Sequence, residues 1–247
     1  MEPVFRTLEI TAKTAVRATG TRITYRGLEN LPASGGAVVA INHTGYVDFL
    51  PAALAATHRK RRMRFMIKAE MQNVKPVGWL IRHTGTIPVD RTAGADAYAA
   101  AVESLRSGEL VGVYPEATIS RSFELKEFKS GAVRMAKEAH VPIVPLIVWG
   151  AQRLWTKDHP KAMGRNKFPV AVAVGRPIAP EGDDIATTLR TEMTQLLHDT
   201  QAGYPHPRGA FWVPERLGGG APTPAEARRM EEAELAERAR RRAEGGR

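Results

Sequence analysis

An imidazole and a carboxylate stand five residues apart in Asn42-His43-Thr44-Gly45-Tyr46-Val47-Asp48-Phe49, directly after the apolar run Ala37-Val38-Val39-Ala40-Ile41. Histidine is the side chain type that takes up a proton near neutral pH. An aspartate accepting from its second ring nitrogen fixes the tautomer and stabilises the imidazolium as it forms. The pair suits removal of a proton from a hydroxyl, with no covalent nucleophile required. A purely structural alternative uses the same residues: His43 caps the following helix and Asp48 sits in its first turn, where the positive helix end favours its charge.

Three further stretches bear on that choice. They are Gly85-Thr86-Ile87-Pro88-Val89-Asp90-Arg91, Pro115-Glu116-Ala117-Thr118-Ile119-Ser120 and Val141-Pro142-Ile143-Val144-Pro145, with Lys68-Ala69-Glu70 and Phe128-Lys129-Ser130-Gly131 between them. In this order the blocks resemble the glycerophospholipid acyltransferases, the family of 1-acylglycerol-3-phosphate acyltransferases, whose first motif is NHxxxxD. The resemblance runs from about residue 20 to about residue 200. It implies acyl transfer from a thioester of coenzyme A or acyl carrier protein to the free hydroxyl of a lysophospholipid, with 1-acylglycerol-3-phosphate the first-choice acceptor and glycerol-3-phosphate, another lysolipid or a glycolipid the alternatives; a non-catalytic binder of anionic membranes is the alternative of another class. His43 would be the base and Asp48 would orient it. Glu116 and Arg91 would place the glycerol phosphate, with Thr118 and Lys68 as further substrate contacts and Arg121 and Lys129 as weaker ones. Arginine suits a phosphate because its planar fork donates two parallel hydrogen bonds.

The third block departs from the family form EGTRS. Glu116, Thr118 and Ser120 match, while Ala117 replaces glycine and Ile119 replaces arginine. Alanine costs backbone freedom if a positive φ is required. Losing the arginine removes a phosphate ligand, for which Arg121, Lys126 or Lys129 is the nearest substitute. Backbone amides near the His43 turn are one source of oxyanion donors, which the sequence does not identify.

Composition narrows the partners. The chain has no cysteine, which excludes a disulfide framework, a cysteine-based zinc site and a thiol acyl-enzyme. Thirty-six Lys and Arg against twenty-six Asp and Glu leave a formal charge of +10, so the partner surface is anionic: phospholipid, nucleic acid or an acidic carrier. No nucleic-acid recognition motif is present, and none of that class of partner is expected. The run from His58 to Lys68 carries six cations and no carboxylate, which reads as a surface for headgroups or coenzyme A phosphates. No cofactor or metal is needed beyond the acyl thioester as co-substrate. No apolar run approaches the ~20 residues that span a bilayer. The expectation is a cytoplasmic protein associated peripherally with an anionic membrane.

Apolar strand-like runs alternate with helical stretches, which predicts an α/β fold with a mostly parallel sheet flanked by helices. Residues 1–20 read as a basic amphipathic helix that either docks on a membrane or packs on the core. Residues 21–217 form the acyltransferase domain, and 218–247 form a polar helical tail, solvated by default. Within the domain, Val141 to Trp149 is interrupted by Pro142 and Pro145, which predicts an edge strand or a bent extended segment. The histidine motif falls at a strand-to-helix junction, the place where open α/β sheets bind ligands.

Overall fold

The computed structural model describes residues 3–73, 83–84, 86–89 and 94–244. Helix α1 (Pro3–Ala18) leads into strand β1 (Arg22–Arg26), followed by β2 (Ala37–Ile41), α2 (Phe49–His58), β3 (Met63–Lys68) and β4 (Ile87–Val89). Next come α3 (Gly94–Arg106), β5 (Leu110–Val113), α4 (Gly131–Ala139), β6 (Ile143–Trp149), β7 (Pro169–Val174), α5 (Ile185–Ala202) and α6 (Pro224–Glu244). The seven strands form a sheet in the order β1-β7-β6-β2-β5-β3-β4. All neighbours are parallel except β6 and β7, so β1 and β7 run against the other five. The expected mostly parallel α/β sheet is therefore observed.

Alternation along β2 builds two cores, one on each side of the sheet. Val38 and Ala40 pack with Val111, Ile143 and Ile147 beneath α3, α4 and α5. Ala37, Val39 and Ile41 pack with Leu146, Val148 and Val172 beneath α2. Because both faces are covered, β2, β5 and β6 are apolar throughout, as buried parallel strands must be.

Strand β6 corrects the sequence reading. It is not an edge but lies between β7 and β2, buried along its whole length. The prolines are accommodated by position. Pro142 precedes the strand and offers only its carbonyl, to the Val38 amide at 3.0 Å. Pro145 sits where the β6–β7 ladder has stopped at Leu146–Val174, and its carbonyl accepts from Gly175 at 2.8 Å. Its missing amide therefore falls at a gap in the pairing.

The cation run is also largely structural. Arg59 donates to the Leu31 carbonyl, and Arg61 ties the carbonyls of Pro32, Gly35 and Gly108 together. Arg64 pairs with Glu109 and donates to the Thr84 carbonyl, while Arg62 lies 4.9 Å over the Phe5 ring of α1. Loop carbonyls and a ring face, rather than a ligand, absorb much of that charge. Among the described residues, no helix is long and apolar enough to cross a membrane.

Leu146 is fully buried on the central strand, whereas Leu235 on α6 is 59% exposed. Leu146→Ala should cost about 2–5 kcal/mol in urea unfolding, and Leu235→Ala should stay within about 0.5 kcal/mol.

Candidate active site

The site begins where β2 runs out of ladder. Asn42, fully buried, continues the pairing with its side chain: Nδ2 donates to the Val148 carbonyl at 3.0 Å, and Oδ1 accepts from the Val148 amide at 2.7 Å. The carboxamide imitates one more strand residue and releases the backbone to turn. Residues 43–48 then form a loop into α2, whose N-cap is Asp48.

Asp48 faces the loop rather than its own helix end. Its Oδ2 accepts from the amides of Thr44 and Gly45, both at 2.7 Å, and lies 3.3 Å from Nδ1 of His43. The carboxylate is 0% exposed and the His43 side chain 19% exposed. Burial pushes the Asp48 carboxyl above its ordinary range, while the imidazole and the two amides pull it down. The capping alternative for His43 therefore fails, since the helix cap is Asp48 and the imidazole turns toward that carboxylate. Gly45 is required by close approach: a Cβ there would lie 2.9 Å from the Trp155 carbonyl and 3.3 Å from Asp48 Oδ1. The outer wall is held by Thr156, whose hydroxyl donates to the Thr44 carbonyl at 2.7 Å, and by the Tyr46 amide donating to Trp155 at 3.0 Å.

Strand β5 delivers the second half of the site. The Tyr114 ring stacks on the His43 imidazole, with centroids 4.1 Å apart and planes 22° from parallel. Burial holds its phenol well above the ordinary value, and the nearby Asp48 charge adds to that. Glu116 is 3% exposed, and its carboxylate is divided between two backbone donors, the His43 amide at 2.8 Å and the Lys126 amide at 3.0 Å. The Ser120 amide closes the loop by donating to the His43 carbonyl at 2.8 Å. Desolvation raises Glu116 to about 7, against the pull of the His43 and Lys126 amides. Ala117 has φ +62°, so the position taken by glycine in the family form does require the left-handed region here.

This geometry gives both groups work inside the fold. Glu116 is buried and braces the turns at His43 and Lys126. The amides of the His43 turn are likewise engaged within the protein. Asn42 donates to Leu146, His43 to Glu116, Thr44 and Gly45 to Asp48, and Tyr46 to Trp155. Five consecutive donors thus stabilise the loop.

The remaining predicted residues divide into groups. Thr118 accepts from the Lys126 ammonium, and Arg121 is buried with its guanidinium on Asp158 and Glu234. Ile119, where the family form has arginine, is 5% exposed and points no charge outward. Lys129 is exposed and its amide donates to the Pro115 carbonyl at 2.8 Å, immediately before α4. Lys68 ends β3, with its side chain outside what the structure describes, and Arg91 lies outside the described residues. The helix expected as a solvated tail is instead docked: Glu231 pairs with Lys126, and Glu234 with Arg121 and Lys157. Asn42, Tyr114, Thr156 and Lys157 were not singled out from the sequence. Asn42 was legible as part of the motif itself, whereas the others are brought in by chain folding alone.

Residues 22–149, which are 128 of the 247, match the family model described as Acyltransferase. The 1-acyl-sn-glycerol-3-phosphate acyltransferase of Bacillus subtilis is 32% identical over 123 residues, 49% of this chain and 60% of that protein. The chloroplastic 1-acyl-sn-glycerol-3-phosphate acyltransferase LPAT1 of Arabidopsis thaliana is 26% identical over 181 residues, 71% of this chain and 49% of that protein. The chain thus spans about half to six-tenths of the length of these relatives. The crystal structure of the 1-acyl-sn-glycerophosphate (LPA) acyltransferase PlsC from Thermotoga maritima shares the fold, with a TM-score of 0.70, 23% identity and 82% of each chain covered.

Glu116 carries a pH signature. Its folded value of about 7 lies above the ordinary 4.5, so between those values the folded state holds a proton that the unfolded state has released. The stability it contributes is complete below that window and is lost as pH rises through it. Unfolding free energy measured from pH 5 to 7 should fall more steeply in wild type than in Glu116→Gln. At Ala117, exposed and left-handed, the conformational cost of about 1–2 kcal/mol exceeds the entropic cost of glycine, about 0.5–1 kcal/mol. Ala117→Gly should therefore stabilise the chain by about 0.5–1 kcal/mol in the same assay.

Proposed function

The chain belongs to the acyltransferase family, and from that premise we propose that it transfers a fatty acyl group from a thioester to the hydroxyl of a lysophospholipid, with 1-acylglycerol-3-phosphate as acceptor and phosphatidic acid as product. The observation that carries the reading is the fully buried Asp48 carboxylate set against Nδ1 of a partly exposed His43. A neutral imidazole donating Nδ1–H to Asp48 keeps the Nε2 lone pair for an incoming hydroxyl.

In the proposed reaction the acceptor hydroxyl oxygen attacks the thioester carbonyl carbon while Nε2 takes its proton. The tetrahedral intermediate collapses, the carbon–sulfur bond breaks and the thiolate leaves. The imidazolium returns the proton to sulfur, giving ester and thiol. Asp48 stabilises the imidazolium during the cycle, and its contact with the ring shortens as that charge develops. General-base help of this kind supplies about 10²–10⁴ in rate. Positioning and electrostatics supply the rest.

The oxyanion donors lie beyond residues 42–46, whose amides are occupied. A coenzyme A or acyl-carrier-protein thioester is the donor in this scheme, and the protein works peripherally on an anionic membrane surface at the cytoplasmic face. The names of the relatives support the acceptor, and the net charge of +10 supports an anionic partner surface.

The test is thiol release from palmitoyl-coenzyme A with and without 1-acylglycerol-3-phosphate, with the lipid product identified by mass. Acceptor-dependent release should fall at least about 10²-fold in His43→Ala. Asp48→Asn should also lose activity, because the amide no longer meets the imidazolium with a charge. Turnover unchanged in His43→Ala would refute the mechanism, and release indifferent to acceptor would make the chain a thioester hydrolase.

A further inference from the structure

Three cations gather on the two turns that hold the His43 loop. Arg121 follows Ser120, whose amide donates to the His43 carbonyl; Lys157 follows Thr156, whose hydroxyl donates to the Thr44 carbonyl; and the Lys126 amide donates to Glu116. Their side chains are largely shielded, and α6 does the shielding. Along the described part of α6, Ala227, Glu231 and Glu234 are withdrawn from solvent, a stripe spaced four and three residues apart on one helix face. Met230 and Leu235, its large apolar side chains, are exposed instead.

A helix packed for stability buries its apolar residues. This one turns two carboxylates inward, so it is held by ion pairs and one alanine. Glu234 accepts from Arg121 Nη2 at 2.8 Å and is shared with Lys157, while Glu231 takes the Lys126 ammonium, which also donates to Thr118. These contacts hold Glu234 down at about 2, the Lys157 hydrogen bond foremost. Arg121 is not saturated by them. Its Nε goes to Asp158, and its buried Nη1 has no hydrogen-bond partner among the described residues. A guanidinium with a spare buried donor, two ammonium groups and a hydroxyl form a set that suits a phosphate better than it suits two carboxylates.

We propose that Arg121, Lys126, Lys157 and Thr118 form a phosphomonoester site, and that α6 is an internal strap whose Glu231 and Glu234 occupy it until a phosphorylated substrate displaces them. This rests on the acyltransferase reading for the substrate's class, since both a glycerol-phosphate acceptor and the 3′-phosphate of coenzyme A carry such a group. The cations lost with Ile119 of the third block are then supplied from two residues further on and from the 157 turn. The strap keeps them paired when no phosphate is bound, and displacement exposes the site as ligand arrives. Apparent affinity is lowered by the fraction of molecules in the closed state.

The test is hydrogen exchange across residues 225–240 of the full chain, with glycerol 3-phosphate or coenzyme A added, each against sodium chloride at equal ionic strength. Faster exchange with a phosphomonoester but not with chloride is expected, and the arm that produces it identifies the source. Glu231→Gln with Glu234→Gln should show fast exchange without ligand and an apparent KM for the phosphorylated substrate about tenfold lower, as release from a nine-tenths closed state gives. Its kcat should not change. Glu232→Gln with Glu237→Gln, on the outer face, should behave as wild type. Exchange unmoved by either phosphomonoester, or an unchanged KM in the inner-face variant, would overturn the strap. Acyl transfer with an unmoved α6 would refute the strap and spare the proposed function. Opening by phosphate in a chain that transfers no acyl group would do the reverse.

Discussion

A carboxylate with no exposed surface must have its charge met inside the protein, and Asp48 meets that demand through one oxygen, Oδ2, while Oδ1 has no hydrogen-bond partner among the described residues. Its Oδ2 draws in two consecutive amides and an imidazole nitrogen. The amides can converge on one oxygen only if the chain after His43 curls tightly, and the curl lies so close to the Trp155 carbonyl and Gln152 that a Cβ at position 45 would crowd them. Leaving such a group unpaired would cost far more than the loop's ordering. The chemistry and the loop conformation are thus two results of one requirement. The imidazole is fixed by its partner, by the Tyr114 ring beneath it and by the Glu116 bond to its own amide.

The same economy runs outward. Glu116 spends both oxygens on backbone donors, joining the loop after β2 to the turn after β5. Asn42 joins the end of β2 to β6 through a bidentate amide pair. Three neighbouring strands of a parallel sheet are therefore tied together at the end where their loops meet, the location at which open α/β folds bind ligands. Arg121, Lys126 and Lys157 at that end are paired with the acidic face of α6, and Arg59, Arg61 and Arg64 reach carbonyls that precede the strands, at the opposite end of the sheet. A net charge of +10 consequently overstates how much free cationic surface the described part presents.

Residue pattern disclosed the sheet and the strand-to-helix placement of His43 and Asp48, because each is a matter of local periodicity. It misplaced β6, since Pro145 is hostile to a central strand unless the neighbouring ladder stops beside it, and that depends on where β7 ends. It named Glu116 without revealing its burial against two backbone donors, because that depends on where the turns at His43 and Lys126 meet. The cation run from residue 58 read as a ligand surface for the same reason: sequence shows charge but not the carbonyls that absorb it. Helix α6 was legible as a polar helix, and its start is a capping box in which Thr223 and Glu226 exchange hydrogen bonds. What it packs against was hidden, because an inward-facing glutamate has no periodic signature when the outward face is charged as well.

The central claim is that Asp48 holds a neutral His43 as the Nδ1–H tautomer with Nε2 ready to accept a proton. Nitrogen-15 NMR of histidine-labelled protein above neutral pH reads this directly, with the His43 signal assigned by its loss in His43→Ala. A protonated Nδ1 and an unprotonated Nε2 in wild type, with that preference lost in Asp48→Asn, is the predicted result. A protonated Nε2 in wild type would contradict it, because the nitrogen assigned to receive the acceptor's proton would already carry one.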